Sequence, residues 1–398
     1  MTRSIRTGTA ISAIAAAALA IPSAPALAQP ADGNGPPPDG GDGPPPGGGD
    51  RPTDERLGDT SVLMDRVPIP EAVDGCGADP GHARLLCLAK LLKESASEDL
   101  LELFQLDYSL DAAKTWSNLP AGAVPDRPGA YLGEFDVEQR GIVKAIMAEA
   151  AGLAENEGVD ELLQTLNADD YIGTVSTDYP VGYASYNTKF AFLGTPAETG
   201  TWQLYYGGHH LAFTNTYTDG ELVGATPSFR GIEPFPRFFM NGRENAPLMQ
   251  EREAFAALLR SLSDEQAAAA RLEGTYRDIL AGPQQDDAIP EEREGLDVAE
   301  LDEDQRALLL AAVETYVGDI SAADAAAYMA KYVEELPDTV VGFTGTTEVD
   351  AENDYVRVHG PSLWIEFSLQ SNKSTGEVGN HPHSVWRDID DDYGGNAR

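Results

Sequence analysis

The chain has 398 residues, with 66 acidic against 27 basic side chains and a formal net charge of −39. A surface this negative repels a phosphate backbone and anionic headgroups, which excludes nucleic acid and an acidic membrane surface as partners. Hydrophobic residues make up 42% of the chain, enough for a substantial core, and only the N-terminal apolar run approaches the length of a membrane span.

Residues 1–28 read as an export signal. Arg3 and Arg6 give a basic start, residues 11–21 are apolar and Ala-rich, and Ala26-Leu27-Ala28 fits the small-x-small cleavage rule. A secreted or periplasmic protein starting at Gln29 is therefore expected, with no membrane partner after cleavage; an uncleaved anchor is the alternative. Residues 29–58 are Pro, Gly and Asp with almost no apolar content. They cannot bury enough surface to offset chain entropy and are expected to be a disordered spacer. Residues 59–398 are expected to form one domain, since no further low-complexity linker interrupts them.

Cys76 and Cys87 are the only two cysteines. In an exported chain they predict one disulfide, with a pair of metal ligands as the alternative. Leucines at 85, 86, 88, 91 and 92 predict a helix over 83–93. Further helices are expected over 136–151 and 159–166. The period then changes. Residues 202–206 and 210–214 are aromatic and β-branched and predict strands, and Asp219-Gly220 predicts a hairpin turn.

Helices return over 246–262, then in a helix opened by a capping box at Ser263 to Gln266, and over 302–320 and 321–336. Residues 282–296 read as a loop. Strands are expected at 339–343, 354–358, 362–369 and 384–387. Helices and strands fall in separate blocks, which predicts an α+β fold, helical blocks packed on a mainly antiparallel sheet.

Five of the six histidines fall in three clusters, His209-His210, His359, and His381 with His383. Residues two apart in an extended chain share a face, so His381 and His383 could bind one metal ion. Glu366 stands among bulky apolar residues and needs a partner if buried. His210, His359, His381, His383 and Glu366 are the expected ligands of a divalent transition metal, Zn, Cu or Fe. If they lie in a strand, the adjacent His209 and His210 face opposite ways and only one joins the site. Glu366 and Arg387 are the catalytic candidates, Glu366 as ligand or general base and Arg387 as a fork for a carboxylate. An Arg387-Asp388 pair tying down the C-terminal tail is the structural alternative. Trp202, Trp364 and Trp386 line a pocket or pack the core. The chain lacks Gly-x-Ser-x-Gly, Walker, Gly-x-Gly-x-x-Gly and His-Glu-x-x-His motifs.

Several blocks together carry a resemblance. They are Gly208-His209-His210-Leu211, Thr226 to Gly231, the segment 251–266, His359 to Phe367, and His381 to Gly394. They resemble the domain-of-unknown-function family numbered 3500, found in exported bacterial and fungal proteins, over most of residues 90–395. The resemblance implies export and a domain extent, and no activity. The residues themselves favour a secreted metal-dependent enzyme, a hydrolase of an unidentified small-molecule or peptide substrate, in which the metal lowers the pKa of a water to about 7. A non-catalytic copper or zinc protein and a metal-free binding or structural protein are the alternatives.

Overall fold

The computed structural model describes residues 64–120, 127–175, 183–371 and 380–395. The expected signal segment and spacer lie outside them. Helix α1 (His82–Ser95) is joined to the turn before it by the disulfide Cys76–Cys87. Helix α2 (Val137–Ala150) starts in a reciprocal cap between Asp136 and Gln139. Helix α3 (Gly158–Val175) runs well past the expected end at 166. The polar residues beyond 166 are buried and bonded: Asn167 donates to Asn245, and Asp170 accepts from the Ser185 amide. Helix α4 (Met249–Ser261) is followed by the short helix that Ser263 and Gln266 cap, then by α5 (Glu303–Val317) and α6 (Ala322–Glu335). No helix among the described residues is long and apolar enough to cross a membrane.

The principal strands are β1 (Lys189–Leu193), β2 (Thr201–Gly208), β3 (Leu211–Thr218), β4 (Ser228–Gly231), β5 (Val340–Thr344), β6 (Tyr355–His359), β7 (Leu363–Ser371) and β8 (Asn380–Asp388). With shorter pieces they form a 12-stranded sheet, in the spatial order β1-β2-β3-β4-β8-β7-β6-β5. All these neighbours are antiparallel, and Gln105–Leu106 adds to β1 in parallel. The fold is thus α+β. Asp219 and Gly220 both have positive φ, as the tight hairpin after β3 requires. The seam β4–β8 joins an N-terminal half of the sheet to a C-terminal half, with Gly231 opposite His383.

The period of two divides the side chains between two faces. One face carries Phe190, Phe213, Val356, Ile365, Phe367 and Trp386, packed with the helices in the main core. The other carries Ala191, Tyr205, Ala212, Phe229 and Val385, covered by Ala113, Trp116, Ile279 and Tyr393. By the same alternation Glu366, His381, His383 and Arg387 belong to this second face. Trp202 and Trp386 pack in the main core, whereas Trp364 is on the second face.

Where α3, α4 and α5 meet the sheet, four carboxylates surround one cation. Arg230 donates to Asp319 at 2.8 Å and lies 3.4 Å from Glu161, and Glu157 and Glu251 complete the group. Burial, and then the charge of Asp319, pushes the Glu161 carboxyl up to about 8. An acid raised on folding holds its proton in the native chain while the unfolded chain has lost it above about 4.5. Its stabilisation is complete below that value and declines as pH rises towards 8. The variant Glu161→Gln is therefore expected to gain on the wild type as pH rises from 5 to 8 in chemical denaturation, by at most about 1 kcal/mol per pH unit. A difference that stays flat over that range contradicts this account.

Candidate metal centre

His209 and His210 are not strand residues. They form the two-residue turn between β2 and β3, where Gly208 pairs with Leu211. Their rings therefore do not point to opposite faces as strand geometry predicts, but stack with centroids 3.6 Å apart. The turn lies beside the seam, and this brings His210 against the two histidines of β8.

His210 Nε2 lies 3.0 Å from His381 Nε2 and 3.4 Å from His383 Nε2. The three rings are 4%, 8% and 4% exposed. A tetrahedral ion with nitrogen ligands at about 2.0–2.1 Å holds those nitrogens about 3.3 Å apart, so this spacing suits one metal ion. Burial, then the three neighbouring histidines and Arg127, holds His210 well below the ordinary imidazole pKa and keeps it neutral. Neutral rings facing one another in this way present more lone pairs than the protons between them can satisfy, and a buried cation resolves that. The His-rich group can thus hold a metal ion.

The backbone leaves room for the rings. A methyl group on Gly231 would stand 2.8–2.9 Å from ring carbons of His210 and His383. The outer nitrogen of His383, Nδ1, lies 2.9 Å from Asp278 Oδ1. A carboxylate only accepts, so this contact puts the hydrogen on Nδ1 and leaves the Nε2 lone pair facing the centre. The Gln370 amide reaches the same nitrogen at 2.6 Å and must then present its oxygen. Asp169 meets His209 Nδ1 at 2.6 Å. Asp169, His209 and His210 also lie close enough to hold an ion. Stacked rings, however, run their lone pairs side by side, and this second trio is better read as a brace for His210.

Two expected ligands lie elsewhere. His359 is on the second face at its far end, edge-on to Trp364 at 4.8 Å between centroids. Trp364 and the row of His383 are four residues apart on β7, on the order of 13 Å. Burial, then Arg357 and Arg293, lowers the His359 pKa to about 4. Glu366 is nearer, diagonal to His383 in the register, but its carboxylate is committed. It accepts from the amides of Leu280 (2.6 Å) and Ala281 (2.8 Å), from Tyr355 Oη (2.7 Å) and from Trp364 Nε1 (2.8 Å). Burial pushes its pKa up and these four donors oppose that. Glu366 is thus an anchor for the loop that carries Asp278, where the sequence suggested a ligand or base.

Arg387 is wholly buried, donating to Asp392 at 2.8 Å and Asp286 at 2.6 Å. Its fork is filled by the protein, which fits tail anchoring and leaves none of it for a substrate. Its partners are Asp392 and Asp286, while Asp388 accepts from Lys331 and Tyr332. Asp278, Asp169 and Gln370 lie outside every motif that the sequence offers. Asp278 is one of 66 acids and carries no local motif.

The chain matches the family model described as protein of unknown function (DUF3500) over residues 81–395, and it belongs to that family. No curated protein and no solved structure matches it.

Because Glu366 satisfies four buried donors, Glu366→Ala is expected to cost about 3 kcal/mol or more in equilibrium denaturation. A loss below about 1 kcal/mol would show that those donors find other partners.

Proposed function

We propose that this family member is an exported metal-dependent enzyme, a hydrolase of a small-molecule or peptide substrate. The observation that carries the reading is the approach of three buried imidazole Nε2 atoms at the spacing of a metal tripod. The disulfide Cys76–Cys87 supports an oxidising compartment. Structural zinc sites are closed by four protein ligands, whereas catalytic ones keep three and leave a position open. Among the described residues the tripod has three. A carrier without turnover is the competing reading, and the low exposure of the rings favours a resident ion over an exchanging cargo.

A bound divalent ion would supply Lewis acidity at the open position. The chain's own residues do the rest. Asp278 fixes the His383 tautomer and is itself half-exposed. It also lines a cavity of about 330 Å³ together with Ser117, Asn118, Ile279 and Gln284. Its carboxylate therefore touches both a ligand and the space a substrate would enter, where it is placed to accept a proton. Asp169 and His209 hold His210 in line from the other side.

Metal analysis after reconstitution with zinc is expected to give one ion per chain. Uptake below about a tenth of an equivalent would rule the reading out. His383→Ala and Gly231→Ala should abolish stoichiometric binding. Asp278→Asn should weaken it about 10- to 100-fold, and His359→Ala should leave it unchanged. Equal losses from His359→Ala and His383→Ala would mean that the tripod is not the site.

A further inference from the structure

The seam that carries the tripod is gripped from the opposite face of the sheet. At the end of β4 the Gly231 amide donates to the His210 carbonyl at 2.8 Å, and the Ile232 amide donates to the Pro382 carbonyl at 3.0 Å. Pro382 stands between His381 and His383. Two consecutive amides therefore staple the turn that carries one ligand to the segment that carries the other two.

Arg230 precedes this staple, and the alternation of the strand puts its side chain on the main face. In register it lies between Leu211 and Ser384, the residues that follow His210 and His383. Its guanidinium donates to Asp319 at 2.8 Å and to Ser228 Oγ at 3.1 Å, and lies 3.4 Å from Glu161. On the neighbouring strand, Ser384 Oγ donates to the Glu366 carbonyl at 2.7 Å. That uses its only hydrogen, so the 2.7 Å contact with Tyr316 Oη is a bond donated by the tyrosine. Tyr316 is in the last turn of α5, and Asp319 follows the end of that helix. One helix end thus holds both strands of the seam, β4 at Arg230 and β8 at Ser384. All four side chains are buried.

A metal tripod needs its ligand atoms within about half an ångström of their places. Here the ligands come from two chain segments, so the spacing across the seam sets the distance from His210 to His381 and His383. Buried polar bonds fix such a spacing more sharply than apolar contact, because a bond pulled out of geometry leaves a costly unpaired group. We propose that the end of α5 positions the metal centre through the sheet, with Asp319, acting on Arg230, and Tyr316, acting on Ser384, as positioning residues for the tripod. The inference rests on the metal reading above and adds to it residues on the far face of the sheet.

The test is a titration of metal-free protein with cobalt(II), followed by the visible cobalt bands, with the melting temperature measured in parallel. The wild type is expected to take up one ion per chain and to show the strong bands of tetrahedral cobalt. Tyr316→Phe and Asp319→Asn should each weaken cobalt binding about 2- to 30-fold and reduce the intensity of the bands, as a spread tripod admits further water ligands. Arg230→Lys keeps a charge for Asp319 and should lose less than Arg230→Gln. Leu309→Ala truncates a core residue of the same helix. It should lower the melting temperature and leave cobalt affinity and bands as in the wild type. Unchanged cobalt affinity in both Tyr316→Phe and Asp319→Asn, or an equal loss in Leu309→Ala, overturns the positioning role and leaves the tripod standing. Failure of the wild type to take up cobalt overturns both readings, and shows before any variant is made.

Discussion

Glu366 accepts hydrogen bonds from a loop, from the neighbouring strand and from its own strand, and the second face of the sheet closes through that carboxylate. The amides of Leu280 and Ala281 reach down to it, which seats the loop 278–286 on the sheet. Seating the loop puts Asp278 on His383 and Ile279 into the small apolar cluster with Phe229 and Val385. It also brings Asp286 to Arg387, which in turn ties down the chain terminus through Asp392. Without an acceptor at position 366, each of these contacts loses its geometry, and the tripod loses the carboxylate that sets the tautomer of one ligand.

The two faces use different physics. Outside the Arg230 cluster the main face is apolar and is held by burial against helices, so its energetics there scale with area and tolerate volume-conserving exchange. The second face buries Glu366, Arg357, Arg387 and the histidines, and it is held by polar contacts such as the four donors to Glu366 and the two carboxylates on Arg387. Such networks specify one arrangement, because each unsatisfied member is expensive. A site that needs ligand atoms fixed to a few tenths of an ångström gains from the second kind of packing.

What could be read from the sequence was local. The cap at Ser263 marks a helix start because its partner Gln266 lies three residues on. The His381-x-His383 spacing shows a shared face because a strand repeats every two residues. The turn at His209-His210 could not be read, since it lacks the Asn-Gly or Asp-Gly chemistry that marks tight hairpins. Glu366, set among bulky apolar residues, reads as a carboxylate in need of a partner. Its partners include main-chain amides of a distant loop, and no side-chain pattern reveals those. The far placement of His359 follows from a register that only strand pairing sets.

The tripod straddles the β4–β8 seam, with His210 from one half of the sheet and His381 and His383 from the last strand. No fragment of the chain that ends before the last strand contains it. A ribosome-bound chain that has not yet released its last described strand therefore lacks the histidine group, and any ion it holds would enter only after that strand has found its place. Ion capture would then be a receipt for completed folding, and the energy of binding would act as a clasp across the seam between the two halves.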